Sequence, residues 1–292
     1  EEERPIVAQL FTSNEDHMEQ AARLCQELGF DGVDINMGCP DRSIEKQGCG
    51  SAMIKNPDNA KAIIRAAKRG AKMGEADGIP VSVKTRVGYN EDELETWLPA
   101  ILSESPAAVT LHARTRKEMS LVPAEWDRVK RAVEIRDELG SATLILGNGD
   151  VLSTEDAVGK ITKTGADGAM IGRAIFGNPW LFHPTKRLPM KLTTLPTKGV
   201  NRDDIHTNDT NQLDKNIEYI TLEERLNVLI EHTRLFEELL PFKNFSVMKK
   251  HYKAYVNSFP GAVELRAELM QQNSAKEIEG VTGRWLSTKT SA

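Results

Sequence analysis

The stretch Gly32-Val33-Asp34-Ile35-Asn36-Met37-Gly38-Cys39-Pro40 sets the fold. Gly32–Met37 is a short run with the β-branched residues of a strand, and it ends in a Gly-Cys-Pro turn that a ladder cannot continue through. Its polar residues gather at the C-terminal end, from Asn36 to Cys39. The pattern recurs in Pro5–Phe11, Pro80–Arg86, Ala108–Arg114, Thr143–Gly147 and Gly168–Gly172. Their polar endings are Gln9, then Lys84 to Arg86, His112 to Arg114, Asn148 to Asp150, and Arg173. Segments of helical period lie between them. Asn14–Leu28 has Met18, Ala21, Ala22, Cys25 and Leu28 at that spacing, and Pro57–Met73 opens with proline in its first turn. Trp126, Val129 and Val133 mark a third helix, and Ser153-Thr154-Glu155-Asp156 can cap a fourth. Strands alternating with helices specify a parallel α/β fold. In a parallel barrel all strand ends surround one mouth, where ligands bind, whereas a doubly wound sheet gathers ligand groups from two or three strands at one switch point. Polar endings on all six runs therefore predict a TIM-type (β/α) barrel. Six units are two short of the usual eight.

Composition narrows the class. The chain has 292 residues, 39% apolar and 28% charged, which suits a globular protein with a sizeable core. No apolar run nears the roughly 18 residues of a membrane span, and Glu1-Glu2-Glu3-Arg4 is no secretory leader, so a cytoplasmic protein without a membrane partner is expected; nucleus and mitochondrion stay open. Three cysteines, Cys25, Cys39 and Cys49, suit reduced thiols better than a disulfide framework. A net charge of -5 excludes a general polyanion binder, so any nucleic-acid contact must come from a local patch. Residues 186–218 are rich in Thr, Asn, Asp and Lys without apolar period and read as a linker or insertion. Helical period resumes with Leu222, Leu226, Leu229, Ile230 and Leu235, then from Asn244 to Val256. The expected division is a catalytic barrel over 1–185, the linker over 186–218, and a small all-α domain over 219–292.

Cys39, on a turn at the barrel mouth, can serve as nucleophile or acid, where a cysteine inside the strand would only pack. Lys84 and Arg86 lie two apart on one strand, as do His112 and Arg114 on another, so each pair faces one way. Inward cations need an electron-rich partner, and a cofactor that gains negative charge, such as reduced flavin, supplies one. Asn148-Gly149-Asp150 and Gly172-Arg173 are glycine turns at the last two strand ends, with Arg173 opening a helical turn. Backbone N–H groups there, with the Arg173 fork, suit a phosphate. Between Phe242 and Tyr255, Lys243, Lys249, Lys250, His251 and Lys253 interleave with Phe245, Tyr252 and Tyr255. Such a helix can pair phosphates with its lysines and stack bases on its aromatics.

These residues together resemble the tRNA-dihydrouridine synthases, flavin-dependent barrel enzymes with a C-terminal helical domain. The matching motifs are Val7 to Leu10, Asp34 to Pro40, Gly48 to Ala52, Val83 to Arg86, Leu111 to Arg114, Gly147 to Asp150 and Met170 to Arg173, with Met248-Lys249-Lys250-His251, Tyr255 and Pro260-Gly261-Ala262 further on. The resemblance implies FMN as cofactor, NADPH or NADH as electron donor and tRNA as substrate, with neither a metal nor an obligate protein partner. It implies that reduced FMN delivers hydride to C6 of a uracil ring while Cys39 protonates C5. A thiol of ordinary pKa, about 8.5, can donate at neutral pH. Asn36 and Arg86 would bond the flipped uracil, Gln9, Lys84 and His112 the isoalloxazine ring, and Asn148, Gly149, Asp150, Gly172 and Arg173 the phosphate. Lys249, Lys250 and His251 would meet the RNA, whose target base must leave its stack. Cys49 receives no catalytic role. The family barrel begins with two strands before the one matched by Val7 to Leu10, so this chain is expected to lack them. Two further readings are a flavin barrel enzyme reducing a small pyrimidine or enone, marked by turnover without RNA, and a non-catalytic RNA-binding remnant, marked by RNA binding without flavin.

Overall fold

The computed structural model describes residues 4–72, 78–188 and 217–290. Strands β1 (Val7–Leu10), β2 (Gly32–Met37), β3 (Val81–Arg86), β4 (Ala108–His112), β5 (Leu144–Asn148) and β6 (Gly168–Met170) form one sheet in the order β1-β2-β3-β4-β5-β6. Every pairing in it is parallel. Unbroken sequential order is what successive βα units produce, whereas a doubly wound sheet reverses order at its switch point. The arrangement is the TIM-type one, and each expected run overlaps its strand. Among the described residues, β1 and β6 pair on one side only.

Register divides the sheet into two chemistries, since residues directly opposite in a parallel pair face the same way. Gln9 pairs with Asp34, Asp34 with Ser82, Asn36 with Lys84, Lys84 with Thr110, Arg86 with His112, and His112 with Asn148. One face is thus polar nearly throughout. On the other face Ile35 pairs with Val83, Val83 with Val109, and Val109 with Ile145, all buried. These side chains join one core with the helices, and each contributes about 1.5–3 kcal/mol by leaving water. The helices are α1 (Glu15–Glu27), α2 (Arg42–Glu45), α3 (Pro57–Gly70), α4 (Leu94–Leu102), α5 (Asp127–Glu138) and α6 (Thr154–Thr164). The Asn14 side chain caps α1 by accepting from His17 N, and Ser153 caps α6 by accepting from Asp156 N. Trp97 of α4 donates its Nε1–H to Thr85 Oγ1 at 3.0 Å, which satisfies both buried polar groups.

The chain forms two compact units, 1–172 and 173–292. Of the expected linker, 189–216 lies outside the described residues, and its two ends, β7 (Lys186–Arg187) and β8 (Glu218–Tyr219), pair in parallel. Four helices follow: α7 (Leu222–Leu239), α8 (Ser246–Tyr255), α9 (Ala262–Leu269) and α10 (Ala275–Thr290). Thr221 and Glu224 close a capping box on α7. Leu226, Leu229, Met248, Tyr252, Leu265 and Ile278 form a second core within this unit.

Candidate active site

The turn after β2 is held at the N–H and C=O groups of both Gly38 and Cys39. Asn36 Oδ1 accepts from Gly38 N at 3.1 Å and Cys39 N at 2.9 Å. Arg86 Nε donates to Gly38 O at 2.8 Å, Ser51 N donates to Cys39 O at 3.0 Å, and Ser51 Oγ, 2.9 Å from Cys39 O, divides its single proton between that oxygen and Glu45 Oε1. Gly50 makes this approach possible: its φ is +61°, and a Cβ there would lie 2.6 Å from Cys39 O. Cys39 is half-buried, whereas Cys25 and Cys49 are buried. Of the three thiols, Cys39 alone combines partial exposure with a place at a strand end.

A second tie runs through Glu45 on α2. Arg116, beyond β4, donates Nε to Glu45 Oε1 at 2.9 Å and Nη2 to Oε2 at 2.5 Å. Ser51 Oγ lies 2.8 Å from Glu45 Oε1. Burial opposes ionisation of Glu45, yet bonds from Arg116, Ser51 and Tyr89 hold its carboxyl below the usual range. Lys55 and Arg116 sit over the Tyr89 ring at 4.0 and 5.3 Å. The loop after β2 is thereby fastened to the loop after β4.

The polar face is cationic. Burial and the neighbouring Arg86 push the Lys84 ammonium below its ordinary pKa, while Asp34 and Cys39 pull the other way. Among the described residues no hydrogen bond or ion pair holds that ammonium. Arg86 is buried and spends Nε on Gly38 O and Nη1 on Thr115 O and Met119 O, which leaves its Nη2 donors over. Arg114 Nη1 lies 3.1 Å from His112 Nε2; guanidinium can only donate, so Nε2 accepts and the ring proton sits on Nδ1. Burial first, then Arg86, Lys84 and Arg114, lower the His112 pKa to about 3, so this ring is neutral at physiological pH.

At the end of β5, Asn148 Nδ2 donates to Met170 O at 2.8 Å. Gly149 has φ +118°, and a Cβ there would lie 2.8 Å from Ala124 Cβ and 3.1 Å from the His112 ring. The Asp150 carboxylate accepts from Arg114 and from Ala124 N, so it anchors the loop before α5. A carboxylate repels phosphate, so the Asp150 side chain serves this anchor and is unsuited to hold one. Gly172 closes the first unit, and Arg173 opens the second in a turn of 3-10 helix over Arg173–Ile175.

In the second unit the expected base-stacking role of Tyr252 and Tyr255 is corrected. Both are buried, at 0% and 4% exposure, because Met248, Tyr252 and Tyr255 recur at i, i+4 and i+7 and form the inward stripe of α8. Phe245 packs edge-on against Phe236 at 6.3 Å. Lys249 donates to Met270 O and Asn273 Oδ1, where it satisfies the C-terminal end of α9. Lys250 and Lys253 are exposed, and His251 is half-buried between Phe176 and His232. Burial, His232 and Lys250 lower the pKa of His251.

Sequence reasoning passed over Asp34, Ser82, Glu45 and Arg116. The first two could have been found from the same i, i+2 rule that paired Lys84 with Arg86, since Asp34 precedes Asn36, and Ser82 precedes Lys84, by two. Glu45 and Arg116 are 71 residues apart and carry no local signal.

A parallel β/α sheet in sequential strand order, with a cationic polar face and a fixed cysteine turn at its strand ends, is the architecture of the TIM-type barrel enzymes. The chain belongs to the dihydrouridine synthase family, whose model matches residues 1–286. A protein of Staphylococcus aureus (strain COL) named "Probable tRNA-dihydrouridine synthase" is 35% identical over 284 residues, which are 96% of this chain and 75% of that one. "Probable tRNA-dihydrouridine synthase 2" of Bacillus subtilis (strain 168) is 34% identical over 284 residues, 96% of this chain and 76% of that one. No helix of the described residues is long and apolar enough to cross a membrane.

Proposed function

We propose that this chain reduces the C5–C6 double bond of uridines in tRNA, with Cys39 as the proton donor to C5. The observation that carries the reading is the half-buried Cys39 thiol on a turn where the N–H and C=O groups of Gly38 and Cys39 are tied down. A preorganised acid needs no reorganisation when the proton moves. FMN, reduced by NADPH or NADH, would supply the hydride to C6 when bound. The fit of these residues to FMN rests on the Lys84 ammonium, which lacks a partner among the described residues and shares a face with the donors of Gln9 and Asn36. That face suits the carbonyl-rich edge of the isoalloxazine ring, with neutral His112 beside it as a donor through Nδ1. Asn148, Gly149, the backbone of Asp150, Gly172 and Arg173 are proposed for the phosphate, by resemblance to the family. Asn36, through its spare Nδ2 proton, and Arg86, through Nη2, orient the uracil. Lys250, Lys253 and His251 offer the RNA-facing side of α8.

The test uses tRNA transcribed without modifications, FMN and NADPH, with dihydrouridine measured after hydrolysis. Cys39→Ala is expected to retain flavin and to form product at least about 100-fold more slowly, the usual scale of a lost general acid. Full turnover by that variant would remove the acid role. Turnover of free uracil without RNA would point instead to a small-molecule reductase.

A further inference from the structure

We infer that Asp34 is a positioning residue whose carboxylate sets the direction of a hydrogen-bond chain ending on the Cys39 turn. The chain has four links. Gly38 N and Cys39 N donate to Asn36 Oδ1, Asn36 Nδ2 donates to Gln9 Oε1 at 3.0 Å, and Gln9 Nε2 donates to Asp34 Oδ2 at 2.7 Å. Ser82 Oγ donates to the other oxygen, Oδ1, at 2.7 Å. Asp34 is 7% exposed, on the same face of the sheet as Asn36 and Lys84.

The two ends of this chain have no choice of role. Backbone N–H groups can only donate, and an ionised carboxylate can only accept. Between them stand two carboxamides, whose oxygen and nitrogen ends have nearly the same shape and which packing alone orients weakly. With Asp34 charged, Gln9 must turn Nε2 toward it, so Oε1 faces Asn36, so Asn36 Nδ2 faces Gln9 and Oδ1 is left for Gly38 and Cys39. Donation runs one way throughout, from the cysteine turn to a buried negative charge. In a site of low dielectric such links polarise one another. Without the carboxylate Gln9 can reverse, and its reversed amide would confront Asn36 Nδ2 with another N–H group. Asn36 would then lose its partner or turn its own nitrogen against the N–H groups of the Cys39 turn.

The same geometry decides what a ligand meets. Gln9 and Asn36 each keep one amide proton unspent, beside the Lys84 ammonium. The face is donor-rich and matches carbonyl oxygens and electron-rich ring nitrogens. Asp34 touches neither Cys39 nor that ligand space in this chain of bonds; it acts through Gln9 and Asn36. The inference rests on the reading of Cys39 as the working group, and its test is made without flavin or tRNA, so that the two can fail separately.

Hydrogen exchange of the whole chain, read by mass spectrometry on overlapping peptides covering 37–41, reports the Gly38 and Cys39 amides. In Asp34→Leu, which keeps the branched outline but is bulkier and has no acceptor, these amides are expected to exchange about tenfold faster, the scale of losing one hydrogen bond, with peptides of β4 and α4 unchanged. Asp34→Asn keeps an acceptor that can still take the Gln9 proton while its amide donates to Ser82, so it is expected to restore part of the protection. Alkylation of Cys39 by iodoacetamide from pH 6 to 9 is expected to change its pH profile in the Leu variant and to return toward the parent profile in Asn. Unaltered exchange and an unaltered alkylation profile in Asp34→Leu would overturn the inference. So would acceleration spread evenly over β2 to β4, the signature of a general loss of packing. If the Asp34 variants do not fold, Gln9→Leu breaks the chain one link nearer the turn and leaves Asp34 its bond from Ser82; it should accelerate the same two amides, and full protection there would overturn the inference.

Discussion

The Glu45–Arg116 pair shows how a residue remote in sequence, Arg116, can brace the Cys39 turn. The Glu45 carboxylate takes both the Arg116 fork and the Ser51 hydroxyl, and Ser51 is also the residue that holds Cys39 O. Glu45→Gln keeps the shape and removes the charge. A bidentate pair of this kind, 11% and 26% exposed, is costly to break from one side because Arg116 is left behind. The variant is expected to lose about 1–3 kcal/mol of stability in urea unfolding, and a melting curve identical to the parent's would show that the pair is spent on solvent. His112 makes a different demand. Its folded pKa of about 3 lies below the unfolded value near 6.5, so the unfolded chain binds a proton that the folded chain refuses. The stability owed to neutral His112 is therefore complete above about pH 6.5 and is lost as pH falls toward 3. Over that window the folded-to-unfolded ratio should drop by up to tenfold per pH unit more than in His112→Gln, measured by urea unfolding at pH 7, 6, 5 and 4. Parallel pH profiles for parent and variant would mean that the ring takes up its proton as readily in the fold as in the unfolded chain.

The elements differ in how plainly they were written. All six strands were legible because each couples a short β-rich run to polar residues at its end, and α1, α3, α5 and α6 because their apolar spacing or caps are regular. Helix α4 was passed over, since Pro99 stands inside it and reads as a breaker. Yet Leu94, Trp97, Leu98, Ile101 and Leu102 form its buried stripe, and burial outweighs the missing N–H. The pairing of β7 with β8 has no sequence signal, because two-residue strands carry no period. In the candidate site, Cys39, Asn36 and Lys84 could be named from their place at strand ends. The relay through Asp34 and the Glu45–Arg116 tie depend on which atoms meet. Helix α8 shows the reverse error: interleaved lysines and tyrosines read as a mixed nucleic-acid face, but 3.6-residue periodicity sorts them, tyrosines inward and Lys250 and Lys253 outward. Changing those two lysines together to glutamine is expected to weaken tRNA binding and to reduce the slope of log Kd against log salt by roughly 1.5, about 0.7–0.9 per lost phosphate contact. An unchanged slope would place the RNA elsewhere. Lys249→Gln is expected to act through stability instead, because its ammonium is committed to the end of α9.

Among the described residues there are two cores that share no residue, one made by the sheet and its helices, the other by α7 to α10. Cooperativity follows shared packing, so a cavity cut in one core is felt first by the elements that line it. Ile35→Ala empties a fully buried position of β2 between Leu10 and Val83, the residues paired with it in register. Leu229→Ala does the same on α7, in the core it shares with Met248, Tyr252 and Leu265. Each substitution is expected to cost about 2–5 kcal/mol in its own unit. Native-state hydrogen exchange locates that cost: Ile35→Ala should raise opening rates across β2 and β3 and spare α7 to α10, and Leu229→Ala should do the opposite. Equal acceleration in both units from either variant would mean that the chain unfolds as a single cooperative body. In that event stabilising the helical unit would protect the Cys39 turn, whereas with separate cores the turn depends on the packing beneath β2 and β3, where Ile35, Val83 and Thr85 hold the two strands whose ends carry Asn36, Cys39 and Arg86.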